Sequence, residues 1–343
     1  MELALYRKHR PTKFIEVLGQ EDVVNILLRS IEKKSISHAY LFSGSRGTGK
    51  TTVARIFAAE IGCKPADLYE IDGASNRKIE DIRELREAVQ TMPFESPYKV
   101  YIIDEVHMLT KEAWNALLKT LEEPPEHVVF ILATTNKDKV PDTILSRCQT
   151  FTFNSPSLED LKKFVLDTAK KEKMKLAVPS ADIIALFGDG SYRDTLSILE
   201  KVLVASKGEE LSVDDVSRIV GAPTHDLVER VLQSVASQEI AGGLTAISKA
   251  HTDNVSMPVY LRLIIERMRS VLLLRYGAIT DLQLQESYGK EEIESLRNFA
   301  AQPEKRINSN VLGYFLEATE VIGHSVVAPL PIELALMRSV EGK

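Results

Sequence analysis

The chain has 343 residues, of which 44% are hydrophobic and 27% charged, and its formal net charge is −6 at pH 7. This length predicts two or three domains with buried cores. No apolar run approaches the roughly 20 residues that span a bilayer. The negative net charge argues against a simple nucleic-acid coat protein but leaves local phosphate contacts open. The N-terminus has no signal-peptide pattern, so we expect a cytoplasmic protein with no membrane partner.

The first part of the chain alternates β-branched or aromatic runs with helical patterns, which is typical of a parallel α/β sheet. Five strands are expected, at residues 39–42, 68–71, 99–103, 128–133 and 150–153. Between the third and fourth of them, residues 111–123 place Trp114 and several leucines on one face of a predicted helix, and Pro124 and Pro125 end it. Trp114 is therefore expected in the core.

The remainder of the chain is helical by pattern. We expect about four helices up to Gly221, the first with Ser157 as its N-cap and the last opening on a capping box at Ser212. Further helices are expected at 259–274 and 309–322. The predicted architecture is an α/β domain at 1–155, a small helical domain at 156–221 and a larger all-α domain at 222–343.

A glycine-rich segment joins the first predicted strand to a helical run. Gly44-Ser-Arg-Gly-Thr-Gly-Lys50-Thr51 fits the pattern G-x-x-x-x-G-K-[ST] in the strand–loop–helix context of a P-loop, which cradles the phosphates of a nucleoside triphosphate. Lys50 would neutralise phosphate charge, and the Thr51 hydroxyl would bind Mg²⁺. The predicted nucleotide contacts of this loop are Gly44, Gly47, Thr48, Gly49, Lys50, Thr51 and Thr52.

An acidic pair follows the strand at 99–103. Asp104 is placed to hold the Mg²⁺ that bridges two phosphates, and Glu105 to polarise the attacking water as a general base. With the P-loop, this pair supplies a phosphate grip, a metal ligand and a base.

Several longer motifs resemble the AAA+ ATPases of bacterial sliding-clamp loaders, the assemblies that serve DNA polymerase III. The similar segments are Tyr6-Arg-Lys-His-Arg-Pro11, Val17-Leu-Gly-Gln20, Asp104-Glu-Val-His-Met-Leu109, Asn115-Ala-Leu-Leu-Lys-Thr-Leu-Glu-Glu-Pro-Pro-Glu-His127, Leu132-Ala-Thr-Thr-Asn136, Ile144-Leu-Ser-Arg-Cys148 and Gly190-Ser-Tyr-Arg-Asp194. The resemblance implies an AAA+ P-loop domain with a five-stranded parallel sheet, a helical lid and an all-α oligomerisation collar.

The resemblance also implies residue roles. Thr135 matches the sensor-1 position near the γ-phosphate, Arg193 matches sensor 2 in the lid, and Arg147 matches the arginine finger, which acts on ATP in a neighbouring subunit. The N-terminal segment is similar to the family's adenine-binding strap. Its candidate nucleotide contacts are Tyr6, Arg7, Arg10, Pro11 and Val17, and the candidate DNA-phosphate contacts are Lys78, Arg83, Lys119, Lys139 and Thr143.

The function implied is that of an ATPase motor subunit. ATP binding would open the sliding clamp, and primer–template DNA would trigger hydrolysis and release of the clamp. The implied partners are the other subunits of a hetero- or homo-pentamer, the sliding clamp and primer–template DNA, and the implied cofactors are ATP and Mg²⁺.

The chain departs from the family in two places. Members commonly carry a four-cysteine zinc module after the P-loop helix, whereas Cys63 runs almost directly into the next strand, so we predict no zinc. Cys148 is expected to be a small buried hydrophobe. Long members extend further to bind helicase and polymerase, and we expect the motor and collar parts without that tail.

Three alternatives remain open at this point. A different AAA+ machine, such as a Holliday-junction branch-migration motor, would carry similar phosphate chemistry, although no basic recognition helix or wing follows Gly221. A scaffolding subunit that does not hydrolyse ATP would tend to have a damaged P-loop, and here that loop is intact. A small-molecule P-loop kinase would need an acceptor pocket that the two helical domains do not suggest.

Overall fold

A computed structural model describes residues 3–76, 79–206, 211–280, 284 and 288–341. The chain divides into two compact units, Met1–Glu210 and Leu211–Lys343. The expected domain boundaries at residues 155 and 221 stay predictions. The four helices expected between residues 156 and 221 are present, and the last of them belongs to the second unit.

A five-stranded sheet forms the centre of the first unit. The strands are β1 (Ala39–Ser43), β2 (Leu68–Asp72), β3 (Lys99–Asp104), β4 (Val128–Thr134) and β5 (Gln149–Thr152). They pair in parallel in the order β2–β3–β4–β1–β5, which confirms the expected sheet. The largest error is at β5, which begins and ends one residue earlier than predicted.

Nine helices accompany this sheet in the described part of the first unit. They are α1 (Leu5–Lys8), α2 (Glu21–Glu32), α3 (Lys50–Glu60), α4 (Ile79–Val89), α5 (Lys111–Glu122), α6 (Asp142–Leu145), α7 (Leu158–Lys171), α8 (Val178–Phe187) and α9 (Tyr192–Ser206). Ser157 caps α7 by accepting a hydrogen bond from the backbone N–H of Asp160, as predicted. Trp114 in α5 is 6% exposed, which confirms its place in the core.

Both faces of the sheet are covered, and β1 shows why. Its residues are all buried and point alternately to the two sides, as expected for a parallel strand between two helical layers. Tyr40 and Phe42 pack with side chains of α2 and α3, whereas Ala39 and Leu41 pack with side chains of α4 and α5. The register pairs Ser43 with Thr134, so the carboxyl ends of β1 and β4 lie side by side.

Every described element of the second unit is an α-helix, in agreement with the expected all-α architecture. The helices are α10 (Val213–Val220), α11 (His225–Ser237), α12 (Ile240–Thr252), α13 (Met257–Arg275), α14 (Lys290–Ala301), α15 (Ser309–Val321) and α16 (Leu330–Glu341). As predicted, α10 opens on a capping box at Ser212 and ends at Gly221. One apolar core joins α11 to α16. Among the described residues, no helix has the length and apolar character needed to cross a bilayer.

Candidate nucleotide-binding site

A cleft of about 920 Å³ opens in the first unit at the carboxyl ends of β2 and β3. Its walls are the P-loop with the start of α3, the N-terminal segment, and the first residues of α9. Crevices at the carboxyl ends of parallel strands are where α/β proteins commonly bind ligands. The cleft is therefore the site to compare with the residues that the sequence singled out.

Lys50 lies at the base of this cleft and is 5% exposed. Its Nζ donates hydrogen bonds to the backbone carbonyl oxygens of Gly44 and Ser45, each at 2.8 Å. Burial lowers the pKa of Lys50, while the nearby carboxylates of Glu105 and Asp104 oppose that shift. The P-loop thus curls around its own ammonium group, which is the arrangement needed to present a positive charge to phosphate oxygens.

Thr51 and Asp104 meet at the end of β3. The Thr51 Oγ1 donates to Asp104 Oδ2 at 2.7 Å, and both residues line the cleft. A hydroxyl and a carboxylate oxygen this close fit Mg²⁺, which usually takes one or two protein oxygens and completes its shell with water and substrate phosphates. No group of three or more His, Cys, Asp or Glu side chains that could hold a metal occurs in the described part of the chain. The expectation of no zinc stays a prediction.

Glu105 follows in a left-handed backbone conformation, with φ +47°. Non-glycine residues in this region cost about 1–3 kcal/mol and cluster at functional sites. The carboxylate lines the cleft, and its Oε2 accepts a hydrogen bond from Thr135 Oγ1 at 2.8 Å. Thr135 itself is not among the residues that line the cleft, so its contact with the site runs through Glu105.

The predicted adenine-strap residues all lie in the cleft wall, as does Arg193: Tyr6, Arg7, Arg10, Pro11 and Val17. The guanidinium of Arg193 lies 5.0 Å from the centroid of the Tyr6 ring, within the range of a cation–π contact. Arg10 donates from Nε to Thr52 Oγ1 at 3.0 Å, and burial lowers its pKa. The structure therefore brings the N-terminal segment, the P-loop and α9 to one cavity.

Arg147 is the predicted site residue that lies outside this cleft. Its Nη2 pairs with Glu122 Oε1 at 2.7 Å, and its Nη1 donates to the backbone carbonyl of Thr143 at 2.7 Å. Both partners of the ion pair are partly exposed. The side chain is thus held at the surface and does not contact this chain's own candidate nucleotide site.

The candidate DNA contacts form a separate set. Lys119 lies on α5, Lys139 ends the short helix Lys137–Lys139, and Thr143 lies in α6, and all three side chains are exposed. Lys78 and the side chain of Arg83 lie outside the described residues.

The two cysteines are not reactive groups. Cys63 is buried, and Cys148 is partly exposed, which corrects the expectation that it is buried. Desolvation raises the pKa of the Cys63 thiol to about 11 and that of Cys148 to about 12. Nucleophilic chemistry needs the thiolate, which these pKa values disfavour at neutral pH.

Two contacts of the site escaped the sequence analysis. Ser191, 4% exposed, packs against Gly47 of the P-loop, and the adjoining Tyr192 N–H donates to the Gly47 carbonyl at 3.1 Å. His107 contacts Glu105 and Thr134. His107 lies in the motif that begins at Asp104, but only the neighbouring positions of β3 and β4 reveal its partners.

The sheet order, the P-loop and the acidic pair define a class, the AAA+ group of P-loop proteins. The Thermotoga maritima RuvB Holliday-junction branch-migration motor has this fold, with a TM-score of 0.52, 21% identity, and coverage of 66% of this chain and 78% of that one. At this identity the likeness concerns the fold alone. It confirms the predicted AAA+ architecture.

Sequence relatives define the family. The model of the DNA polymerase III delta subunit matches residues 19–76 and 66–157. The DNA polymerase III gamma subunit of Buchnera aphidicola from Baizongia pistaciae is 30% identical over 361 residues, covering 97% of this chain and 95% of that protein. The tau subunit of Bacillus subtilis is 41% identical over 267 residues, covering 72% of this chain and 47% of that protein.

The chain belongs to the gamma/tau subunit family of DNA polymerase III, which confirms the resemblance to clamp-loader ATPases. It spans about half the length of several of these relatives, including 47% of the Bacillus subtilis protein and 54% of that of Mycoplasma genitalium.

Proposed function

We propose that this chain is an ATP-hydrolysing motor subunit of the DNA polymerase III clamp loader. ATP binding would drive opening of the sliding clamp, and primer–template DNA would trigger hydrolysis and release of the clamp onto DNA. One observation carries the proposal. In a chain that aligns over 97% of its length with a gamma subunit, Lys50, Thr51, Asp104 and Glu105 all stand in one cleft with the geometry of a phosphate and metal site.

The hydrolytic part is tested on Lys50→Ala. Removing the buried ammonium deletes the charge that would hold the β- and γ-phosphates, so ATP binding and turnover should both fall by at least about 100-fold. Arg218→Ala is the control, because Arg218 forms only a surface ion pair with Asp215 at 2.6 Å. Equal ATP turnover in wild type and Lys50→Ala would refute this assignment and favour a scaffolding subunit.

Arg147 is proposed as the arginine finger for a neighbouring subunit. Its place outside its own cleft and its exposed position support an action in trans, since a guanidinium on developing phosphoryl charge must come from the adjacent protomer. Arg147→Ala should lower hydrolysis in the assembled loader by about 1,000-fold or more while leaving ATP affinity of each subunit unchanged. A parallel loss of ATP affinity would contradict the assignment.

The loop after α4 is the proposed surface for the sliding clamp. Met92 is 73% exposed and Phe94 86%, yet the loop is well anchored. Asp67 accepts hydrogen bonds from the backbone N–H groups of Phe94 at 2.5 Å and Glu95 at 2.9 Å, and Lys99 donates to Thr91 Oγ1 at 2.8 Å. Such a fixed apolar pair has little ordering entropy to lose on binding.

The clamp surface is tested by Phe94→Ala in the loader assembly. Truncating an aromatic anchor typically weakens an interface by about 2 kcal/mol, or about 30-fold in affinity for the clamp. Tyr276→Ala is the matched control, because Tyr276 is 78% exposed but lies in the second unit. Equal clamp affinity for both variants would remove this loop from the proposal.

DNA contact is proposed for Lys119, Lys139 and Thr143, together with Lys78 and Arg83. Contacts to phosphates position a duplex without reading its sequence, and each one lost should reduce the slope of log affinity against log salt by about 0.9. Lys119→Ala and Lys139→Ala should each show this change in the assembled loader, whereas Lys33→Ala at the end of α2 should not. Unchanged slopes for both would exclude these two lysines.

A further inference from the structure

The proposed hydrolysis leaves one polar side chain beside the site without a role. His107 lies in the short helix Val106–Met108 after β3, and its side chain is 11% exposed. Its Nδ1 is 3.0 Å from Thr134 Oγ1 and 3.3 Å from Glu105 Oε2. The imidazole is not among the residues that line the cleft, so any effect on bound nucleotide must pass through another residue.

The hydrogen bonds of Thr134 determine which way this contact runs. Thr134 is fully buried, and its Oγ1 donates to the backbone carbonyl of Asn136 at 3.1 Å while accepting from the N–H of Asn136 at 3.0 Å. A hydroxyl has one proton, so Oγ1 can only accept from the imidazole. Glu105 Oε2 is also an acceptor. Nδ1 therefore carries a proton and donates to both oxygens, because the other tautomer would set a lone pair against a carboxylate.

Glu105 consequently has its two carboxylate oxygens in different environments. Oε2 accepts from Thr135 Oγ1 at 2.8 Å, from the Thr135 N–H at 3.3 Å and from His107 Nδ1 at 3.3 Å. From the described residues no hydrogen bond to Oε1 is recorded. Three donors on one oxygen fix the rotation of the carboxylate, and Oε1 is left for a water in the cleft that Glu105 lines.

We propose that His107 is a positioning residue for ATP hydrolysis, which orients the Glu105 carboxylate by donating Nδ1–H to Oε2. The inference rests on the proposed ATPase function and adds a residue to it. A general base must reach its water with hydrogen-bond geometry, and a misplacement of about 1 Å can cost about 100-fold in rate. Loss of one of three orienting donors should therefore lower kcat by about 10-fold. The KM for ATP should stay unchanged, since His107 does not line the cleft.

Two amide substitutions separate this role from simple packing. In His107→Asn the amide Nδ2–H occupies the position of Nδ1–H, whereas in His107→Gln the amide lies one bond further out, near the position of Nε2. His107→Asn should keep kcat within about 3-fold of wild type, and His107→Gln and His107→Ala should lose about 10-fold with unchanged KM. Equal activity of the Asn and Gln variants, or a change confined to KM, would overturn the proposal.

A second readout does not depend on turnover. The chain has 7 histidines, so nitrogen-15 NMR spectra of labelled wild type and His107→Asn would assign the His107 ring by difference. We expect a protonated Nδ1 with slow proton exchange, and an unprotonated Nδ1 would overturn the hydrogen-bond assignment. If wild type hydrolyses ATP no faster than Lys50→Ala, the proposed function fails instead, and the NMR result still decides how His107 meets Glu105.

Discussion

The tip of the P-loop packs so tightly against α9 that a single methyl group should disrupt it. Gly47 has φ +75°, and a Cβ added there would lie 1.9 Å from Ser191 Oγ and 2.8 Å from Ser191 Cβ. Two costs follow for Gly47→Ala. A left-handed conformation costs an L-residue about 1–2 kcal/mol, and overpacking a rigid contact costs about 1–3 kcal/mol more.

The chain offers a control that isolates the second cost. Gly190 has φ +72°, but a Cβ there would lie 3.4 Å from Ser155 Cβ, which is ordinary van der Waals contact. Gly190→Ala should therefore show the conformational cost alone. Ser191→Gly removes the two closest atoms, and glycine is tolerated at a helix N-cap with a loss of only a few tenths of a kcal/mol. In a Ser191→Gly background, Gly47→Ala should cost about as much as Gly190→Ala.

Trp114 provides the assay. It is the chain's only tryptophan and is buried in the first unit, so its fluorescence during urea titration reports the unfolding of that unit. We expect the free energy of unfolding to fall by about 2–4 kcal/mol for Gly47→Ala and by about 1–2 kcal/mol for Gly190→Ala. Equal losses for the two variants, or no relief from Ser191→Gly, would refute the close packing of P-loop and α9.

Three further predictions concern the edges of the same site. A Cβ at Gly73 would lie 2.9 Å from the carbonyl oxygens of both Asp104 and Glu105, so Gly73→Ala should displace the acidic pair and lower kcat by about 10-fold or more in steady-state ATPase assays. Thr51→Val should raise the Mg²⁺ concentration for half-maximal hydrolysis while Thr51→Ser preserves it, and equal shifts would argue against a hydroxyl ligand. Burial alone would raise the pKa of Asp67, but the backbone amides of the loop after α4 outweigh it and lower that pKa to about 2. The stabilisation from Asp67 is then full above about pH 4 and lost as the pH falls towards 2, so Asp67→Asn should destabilise at pH 7 and flatten the acid transition followed by fluorescence. An unchanged acid transition would contradict that assignment.

The elements that sequence predicted well are those determined by local pattern. Each strand of the sheet is a short apolar run bounded by turn residues, and α5 has a helical apolar face with a proline stop, so neighbouring residues suffice to find them. The P-loop is equally local, because its glycines, Lys50 and Thr51 act within one strand–loop–helix unit. The prediction that Asp104 lies beside Thr51 came from the class of motif and is confirmed by the 2.7 Å hydrogen bond.

The contacts that sequence missed depend on the order of the strands. His107 follows β3 and Thr134 ends β4, and they meet because these strands are neighbours in register, with Ile103 opposite Leu132. Ser191 and Gly47 lie far apart in the chain and approach only in the folded unit. Periodicity identified α10 correctly but contains no information on which unit it joins.

The central claim is that hydrolysis in this family member is coupled to the clamp and to primed DNA. It is tested most directly by steady-state ATP hydrolysis of the loader assembly, with and without sliding clamp and primed DNA, for wild type and Arg147→Ala. The account predicts that clamp and DNA together strongly stimulate wild type and that Arg147→Ala abolishes the stimulation while still binding ATP. A rate that is the same with and without clamp and DNA, in an assembly that contains all loader subunits, would contradict it.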